Sequence, residues 1–222
     1  QIDELSTSLG VSSSKLVTQA QTLAQASFSI KDTQKALEVL AKTELAPTFE
    51  DSTDTMEALI AATKQFNLEG DDFTKTFSSI NRVAAAFAVE ASDITTAIRK
   101  SGGAFKAAGG DLSELIALFT AVRQTTRASA DVISTGFNTI FTRVQRPRTI
   151  AFLKELNIEL QDTQKQFIGP YEAIRKIGEA IQSLPTSDPK FAQLVEELGG
   201  YRQVRNVIPL LQQLEVEQKA LN

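Results

Sequence analysis

The chain has 222 residues, enough for one large domain or two small ones, with a net charge of −4. It contains no cysteine, histidine or tryptophan, which excludes disulfides, thiolate or imidazole metal sites and Ser–His–Asp or Cys–His nucleophiles. The acidic balance gives no reason to expect specific nucleic-acid binding, and no apolar run approaches the ~20 residues of a membrane span. Because the chain opens with Gln1, we expect an excerpt of a longer protein, with any membrane contact made outside it.

Good helix formers dominate, and most glycines and prolines fall between amphipathic segments. We therefore predict an all-α fold, a multi-helix array or bundle of about ten short-to-medium helices. In the first hundred residues, Gly10, Pro47 and Gly70 separate predicted helices. The predicted helices there cover, in order, residues 2–9, 13–26, 30–45, 55–66, 73–87 and 93–105.

The stretch from Ser101 to Pro147 organises the prediction, because it holds two amphipathic helices joined by a short polar connection. Gly109–Gly110 ends the helix before them, and Asp111 with Glu114 fits a capping box. Pro147 ends the second helix or starts the next. Their apolar stripes predict that the two helices pack on each other or on earlier helices. The stripes are Leu112, Leu115, Ile116, Phe119 and Val122 in the first helix, and Ile133, Phe137, Ile140, Phe141 and Val144 in the second.

A short helix is predicted over residues 148–156, and segment 157–169 lacks helical periodicity, so it is either one small β-hairpin or an ordered loop. Further helices are predicted from Pro170, from Asp188–Pro189, and from about Tyr201 to Leu214 with a bend at Pro209, before a polar tail. We predict a main helical domain over residues 1–156 and a C-terminal helical lobe over residues 157–222 packed on it.

A long run of this sequence resembles a known family. The segments ALFTAVRQTTRASADVISTGFNTIFTRVQRPRTI and LGGYRQVRNVIPLL, with the glycine pairs, are similar to the core region of bacteriophage tail tape measure proteins. The similarity extends from about Leu9 to Leu211. It implies a structural component of a phage or prophage tail that acts in tail length determination, tail assembly and genome ejection.

The resemblance also implies a location and partners. The location is the virion tail, with the host cytoplasm during assembly. The partners are copies of the chain itself in a homo-oligomer, tail tube and tail tip proteins, and tail assembly chaperones. No cofactor, metal or catalytic residue is expected, and the protein is not expected to be an enzyme. The alternative function is a helical solenoid or bundle adaptor for protein interactions.

One charged region is a candidate interaction surface. Five arginines and a single acidic residue, Asp131, lie between Thr120 and Thr149, a local balance of +4. This pattern predicts either a surface for phosphate or an acidic partner, or solvated helix faces with cations near helix ends. If it is an interaction surface, its residues are Arg123, Arg127, Arg143, Arg146 and Arg148.

Other patterns favour structural roles. The glycine pairs follow no buried strand and lack the Lys–Ser/Thr ending of a P-loop, so helix ends and close contacts are preferred. The carboxylate pairs Glu50–Asp51, Asp71–Asp72 and Glu196–Glu197 sit at helix starts or on exposed faces, which does not favour acid–base catalysis. The small residues between Gln124 and Thr135 predict either a self-association surface or simple packing.

Overall fold

The computed structural model describes residues 2–49, 51–182 and 184–221. Within these ranges it contains thirteen α-helices and no strand, so the predicted all-α array is confirmed. A 3₁₀ turn, Tyr201–Gln203, precedes the twelfth helix. The helices are α1 (Ile2–Leu9), α2 (Ser13–Gln25), α3 (Ile30–Glu44), α4 (Ser52–Phe66), α5 (Asp71–Ala86), α6 (Ala91–Ala107), α7 (Leu112–Thr126), α8 (Ala130–Val144), α9 (Pro147–Glu155), α10 (Pro170–Ile181), α11 (Pro189–Leu198), α12 (Val204–Gln212) and α13 (Leu214–Leu221).

Predicted helix ends agree with the structure where local chemistry sets them. The capping box is present, because the Glu114 N–H donates to Asp111 Oδ1 and the Asp111 N–H donates to Glu114 Oε2, each at 3.0 Å. Gly109 takes a φ of +92° just beyond α6, in the region that glycine enters without strain. Pro147 and Pro189 each open a helix, at the position where a missing N–H costs nothing.

Of the two alternatives for segment 157–169, the structure shows the ordered loop and not the β-hairpin. Among its residues, Gln161 and Phe167 form one isolated antiparallel bridge, and no strand extends from it. The Asp162 carboxylate accepts the backbone N–H groups of Gln164 and Gln166 at 2.8 and 2.9 Å. This side chain closes a turn locally, which leaves too few residues on either side for a ladder.

The C-terminal end differs from the prediction of one bent helix and a polar tail. Pro209 lies inside α12 without ending it, and the break falls at Gln213, whose N–H still donates to the Pro209 carbonyl at 2.9 Å. The supposed polar tail is α13. The inward-facing side of α13 includes Glu217, and this acidic residue interrupts the apolar pattern that would indicate an amphipathic helix.

The chain divides into two compact units, and the first covers Gln1–Arg99. Helix α3 contacts α2, α4 and α5 in this unit. Two pairs of aromatic rings contribute to its packing, Phe28 with Phe73 and Phe49 with Phe77, each with centroids 5.9 Å apart. In α5, the residues Phe73, Phe77, Ile80 and Val83 are buried, so the apolar side chains at every third or fourth position mark a core face.

The second unit covers Lys100–Asn222 and is built around α7. That helix contacts α8, α10, α12 and α13, and every residue from Leu115 to Val122 is buried. Apart from Thr120, whose hydroxyl donates to the Ile116 carbonyl, this stretch is apolar on every side, so it lies inside the unit. The predicted pairing of α7 with α8 is confirmed by the contact of Phe119 with Phe137, with centroids 6.4 Å apart and planes at 89°. The separate prediction of a boundary at residue 156 stays a prediction.

Candidate functional site

Three of the five candidate arginines meet at the corner between α8 and α9, which we call the α8–α9 corner. Helix α8 ends at Val144, and α9 begins at Pro147 with Arg146 as its N-cap residue. Arg143 lies in the last turn of α8, where a cation is favoured by the helix dipole, and Arg148 lies in the first turn of α9, where it is not. The corner therefore concentrates positive charge where the dipole of α8 stabilises it and the dipole of α9 destabilises it.

Helix α11 supplies the compensating groups. Arg143 Nη1 donates to the backbone carbonyl of Glu196 at 2.9 Å. Arg148 Nε and Nη2 both donate to Glu197 Oε1, at 3.0 and 2.6 Å. These residues, with Arg146 and Thr149, line a cavity of about 220 Å³. Two of its arginines are therefore engaged in holding α11 against α8 and α9.

Arg146 is different from its neighbours at the corner. It is exposed, and its guanidinium makes no ion pair or hydrogen bond within the part of the chain that the structure describes. No side chain caps α9 either, so the amide dipoles of its first turn add to the positive potential there. The Glu196 side chain faces the same cavity from an exposed position. Arg146 therefore has no partner among the described residues, whereas Arg143 and Arg148 beside it are both bound to α11.

The remaining two arginines lie elsewhere, at the end of α7. Arg123 is half-buried in the last turn, and Arg127 is the C-cap residue in a left-handed conformation with φ 56°. The Arg127 N–H donates to the Arg123 carbonyl at 3.0 Å, which closes the helix. Both side chains also take part in further interactions. Neither lines the cavity at the α8–α9 corner, so the five candidate residues do not all share one cavity.

Four of the six paired carboxylates have structural partners. Asp71 and Asp72 pair with Lys35 and Lys75 at 3.3 and 3.2 Å, and Glu197 holds Arg148. The Asp51 carboxylate caps α4 by accepting two backbone N–H groups, and these bonds hold its pKa below the ordinary value. Glu50 lies outside the described residues. Among those described, no three acidic side chains converge as metal ligands.

One buried acid was missed by the sequence analysis. Glu217 of α13 is fully buried, and neither of its carboxylate oxygens has a hydrogen-bond partner within the described structure. Burial raises its pKa to about 8, and the charge of Arg175 opposes only part of that rise. A sequence signal existed, since Leu214, Glu217 and Leu221 follow helical spacing, but a charged residue in the middle of the stripe argued against burial.

The fold and this site define a class of protein, an all-α helical array in which helix caps and ion pairs engage Asp51, Asp71, Asp72, Arg148 and Glu197. Within the described residues, no helix is long and apolar enough to cross a membrane. The family model described as phage-related minor tail protein matches residues 1–200, and the chain belongs to that family. It is therefore a structural protein of a phage tail. No solved structure matches the chain.

Proposed function

We propose that the chain is a segment of a tail tape measure protein that determines tail length, assists tail assembly and takes part in genome ejection. The observation that carries the proposal is the family match over residues 1–200 of a chain that is helical almost throughout. An α-helix advances about 1.5 Å per residue, so a helical chain converts its residue number into a length. A molecule that acts in this way needs length and packing surfaces, and it needs no catalytic site.

The proposed partners follow from this role. They are further copies of the chain, tail tube and tail tip proteins, and the tail assembly chaperones that meet the protein in the host cytoplasm. Support comes from the uncovered apolar side chains of the first unit, where Ile30 is 82% exposed. Ile30 also lines an open cavity of about 540 Å³ between α1, α2 and α3. Apolar surface of this kind favours contact with other proteins.

Tail length tests the proposal directly. An in-frame duplication of residues 1–99 within the full-length protein adds one compact unit, and we expect tails that are longer by up to about 150 Å, the value for continuous helix. Electron microscopy of purified tails measures the length, and mass spectrometry of the same tails verifies that they contain the duplicated protein. A Gly103→Ala variant, which adds no residues, is the control with unchanged length. Tails that contain the duplicated protein at the original length would refute the proposal.

A second candidate function rests on Arg146. Because this guanidinium is exposed and has no partner within the described residues, we propose as the alternative that the α8–α9 corner docks an acidic segment of another protein, as an adaptor would. The Arg146→Glu variant is expected to weaken binding to a purified tail assembly chaperone at least tenfold, and salt is expected to weaken binding of the unmodified chain. Arg205→Glu, a change at an exposed arginine of α12, is the matched control. Equal binding by both variants would exclude the corner as the docking site.

A further inference from the structure

Helix α13 packs against the core of the second unit with one acidic side chain, Glu217, fully buried. It packs on α7, which is buried on every side from Leu115 to Val122, and both Glu217 and Ala220 face inward. Glu217 has no exposed surface, and both of its carboxylate oxygens lack hydrogen-bond partners among the residues that the structure describes. An ionised carboxylate in such a place is strongly unfavourable, whereas the protonated acid is tolerated at far lower cost. The packing of α13 is therefore compatible with one protonation state of this side chain.

The neighbouring charges do not stabilise the ionised form of Glu217 enough to offset its burial. Two side chains of α10 interact with Glu217 through charge. Burial raises the pKa of the Tyr171 hydroxyl and the negative charge of Glu217 adds to that rise, whereas the positive charge of Arg175 opposes the rise in the pKa of Glu217. Arg175 is committed to Glu179, with Nη2 and Oε1 2.9 Å apart, and makes no ion pair with Glu217. Glu172 of α10 and Glu114 of α7 add negative charge around Tyr171. Arg175 is therefore already paired with Glu179, and Glu172 and Glu114 add further negative charge near Tyr171.

From this geometry we propose that α13 is a proton-dependent docking element, which seats on α7 and α10 with Glu217 protonated and detaches when Glu217 ionises. Detachment uncovers part of α7, which is buried from Leu115 to Val122, and so presents apolar surface to another helix. The device is independent of the proposed role in tail length. It requires only that α13 docks with Glu217 in its protonated form.

The direction of the pH dependence follows from linkage. The pKa of Glu217 is raised from its ordinary 4.5 when α13 is detached to about 8 when it is docked, so docking takes up a proton between these values. Docking is strongest below pH 4.5, weakens as pH rises, and reaches its floor above pH 8. Because one pKa unit corresponds to a tenfold change in an equilibrium constant, the docking equilibrium falls about tenfold per pH unit across this window.

Hydrogen–deuterium exchange of the full chain tests the device. After correction for intrinsic exchange, protection of the amides in Leu214–Leu221 is expected to fall about tenfold per unit between pH 5 and 8, while α7 stays protected. In Glu217→Gln, which keeps the shape without the charge, protection of α13 is expected not to change with pH. Glu215→Gln removes an exposed acid from the same helix and is expected to behave as the unmodified chain.

Two results would overturn the proposal. One is protection of α13 that does not change between pH 5 and 8 in the unmodified chain. The other is the same pH dependence in Glu217→Gln as in the unmodified chain. Carbon-13 NMR of the Glu217 carboxyl in the unmodified chain is a check that needs no variant, with titration expected near pH 8. Titration near pH 4.5 while α13 remains protected would equally refute the proposal.

Discussion

Replacement of Phe137 by alanine tests whether the phenylalanine cluster holds α6, α7 and α8 together. Phe137 has no exposed surface and lies 4.9 Å from Phe141 and 6.4 Å from Phe119, centroid to centroid. Phe141 in turn meets Phe105 of α6 at 4.6 Å. A buried phenylalanine-to-alanine change costs about 3–5 kcal/mol, and the loss of two ring contacts places this site near the top of the range, at about 4–5 kcal/mol. The neighbours are themselves fully buried, so they cannot readily move to fill the space.

Urea unfolding followed by circular dichroism measures the effect. Phe137→Leu, which keeps most of the volume, is expected to cost less than about 1.5 kcal/mol. Phe77→Ala makes the corresponding change in the first unit, and its effect is expected to add to that of Phe137→Ala, because the two sites share no partner. A loss for Phe137→Ala no larger than for Phe137→Leu would refute the reasoning, since it would mean that the cluster relaxes freely around the cavity.

Further substitutions probe local features. Asp111→Ala removes the cap of α7 and is expected to lower the free energy of unfolding by about 1 kcal/mol in urea titration. Gly136→Ala would place a Cβ 2.0 Å from a buried asparagine of α12, so a loss of about 1–3 kcal/mol is expected, whereas Gly103→Ala meets no atom within 4 Å and is expected to gain about 0.5–1 kcal/mol by the same measurement. A double-mutant cycle on Arg148 and Glu197 is expected to give a coupling below about 1 kcal/mol that shrinks with salt, because Arg148 is 85% exposed.

Prediction from the sequence succeeded where a few neighbouring residues decide the outcome. The capping box of α7 needs only Asp111 and Glu114, three residues apart, and it formed as expected. For residues 157–169 the sequence left a hairpin and an ordered loop open, because strand pairing depends on a turn geometry that weak alternation does not reveal. The structure has the loop, in which the Asp162 carboxylate closes a turn. The five arginines formed one group in the sequence, yet only three line the cavity at the α8–α9 corner.

The sequence by itself determined the helical class, most helix ends, the apolar faces and the absence of thiol and imidazole chemistry, because each depends on residue type and short spacing. The tertiary structure alone decided which arginines of the α8–α9 corner have partners. Arg143 and Arg148 find their partners about fifty residues away on α11, and Arg146 does not share them. It also decided the burial of Glu217, since only packing against α7 removes water from that side chain and turns an ordinary acid into one that keeps its proton.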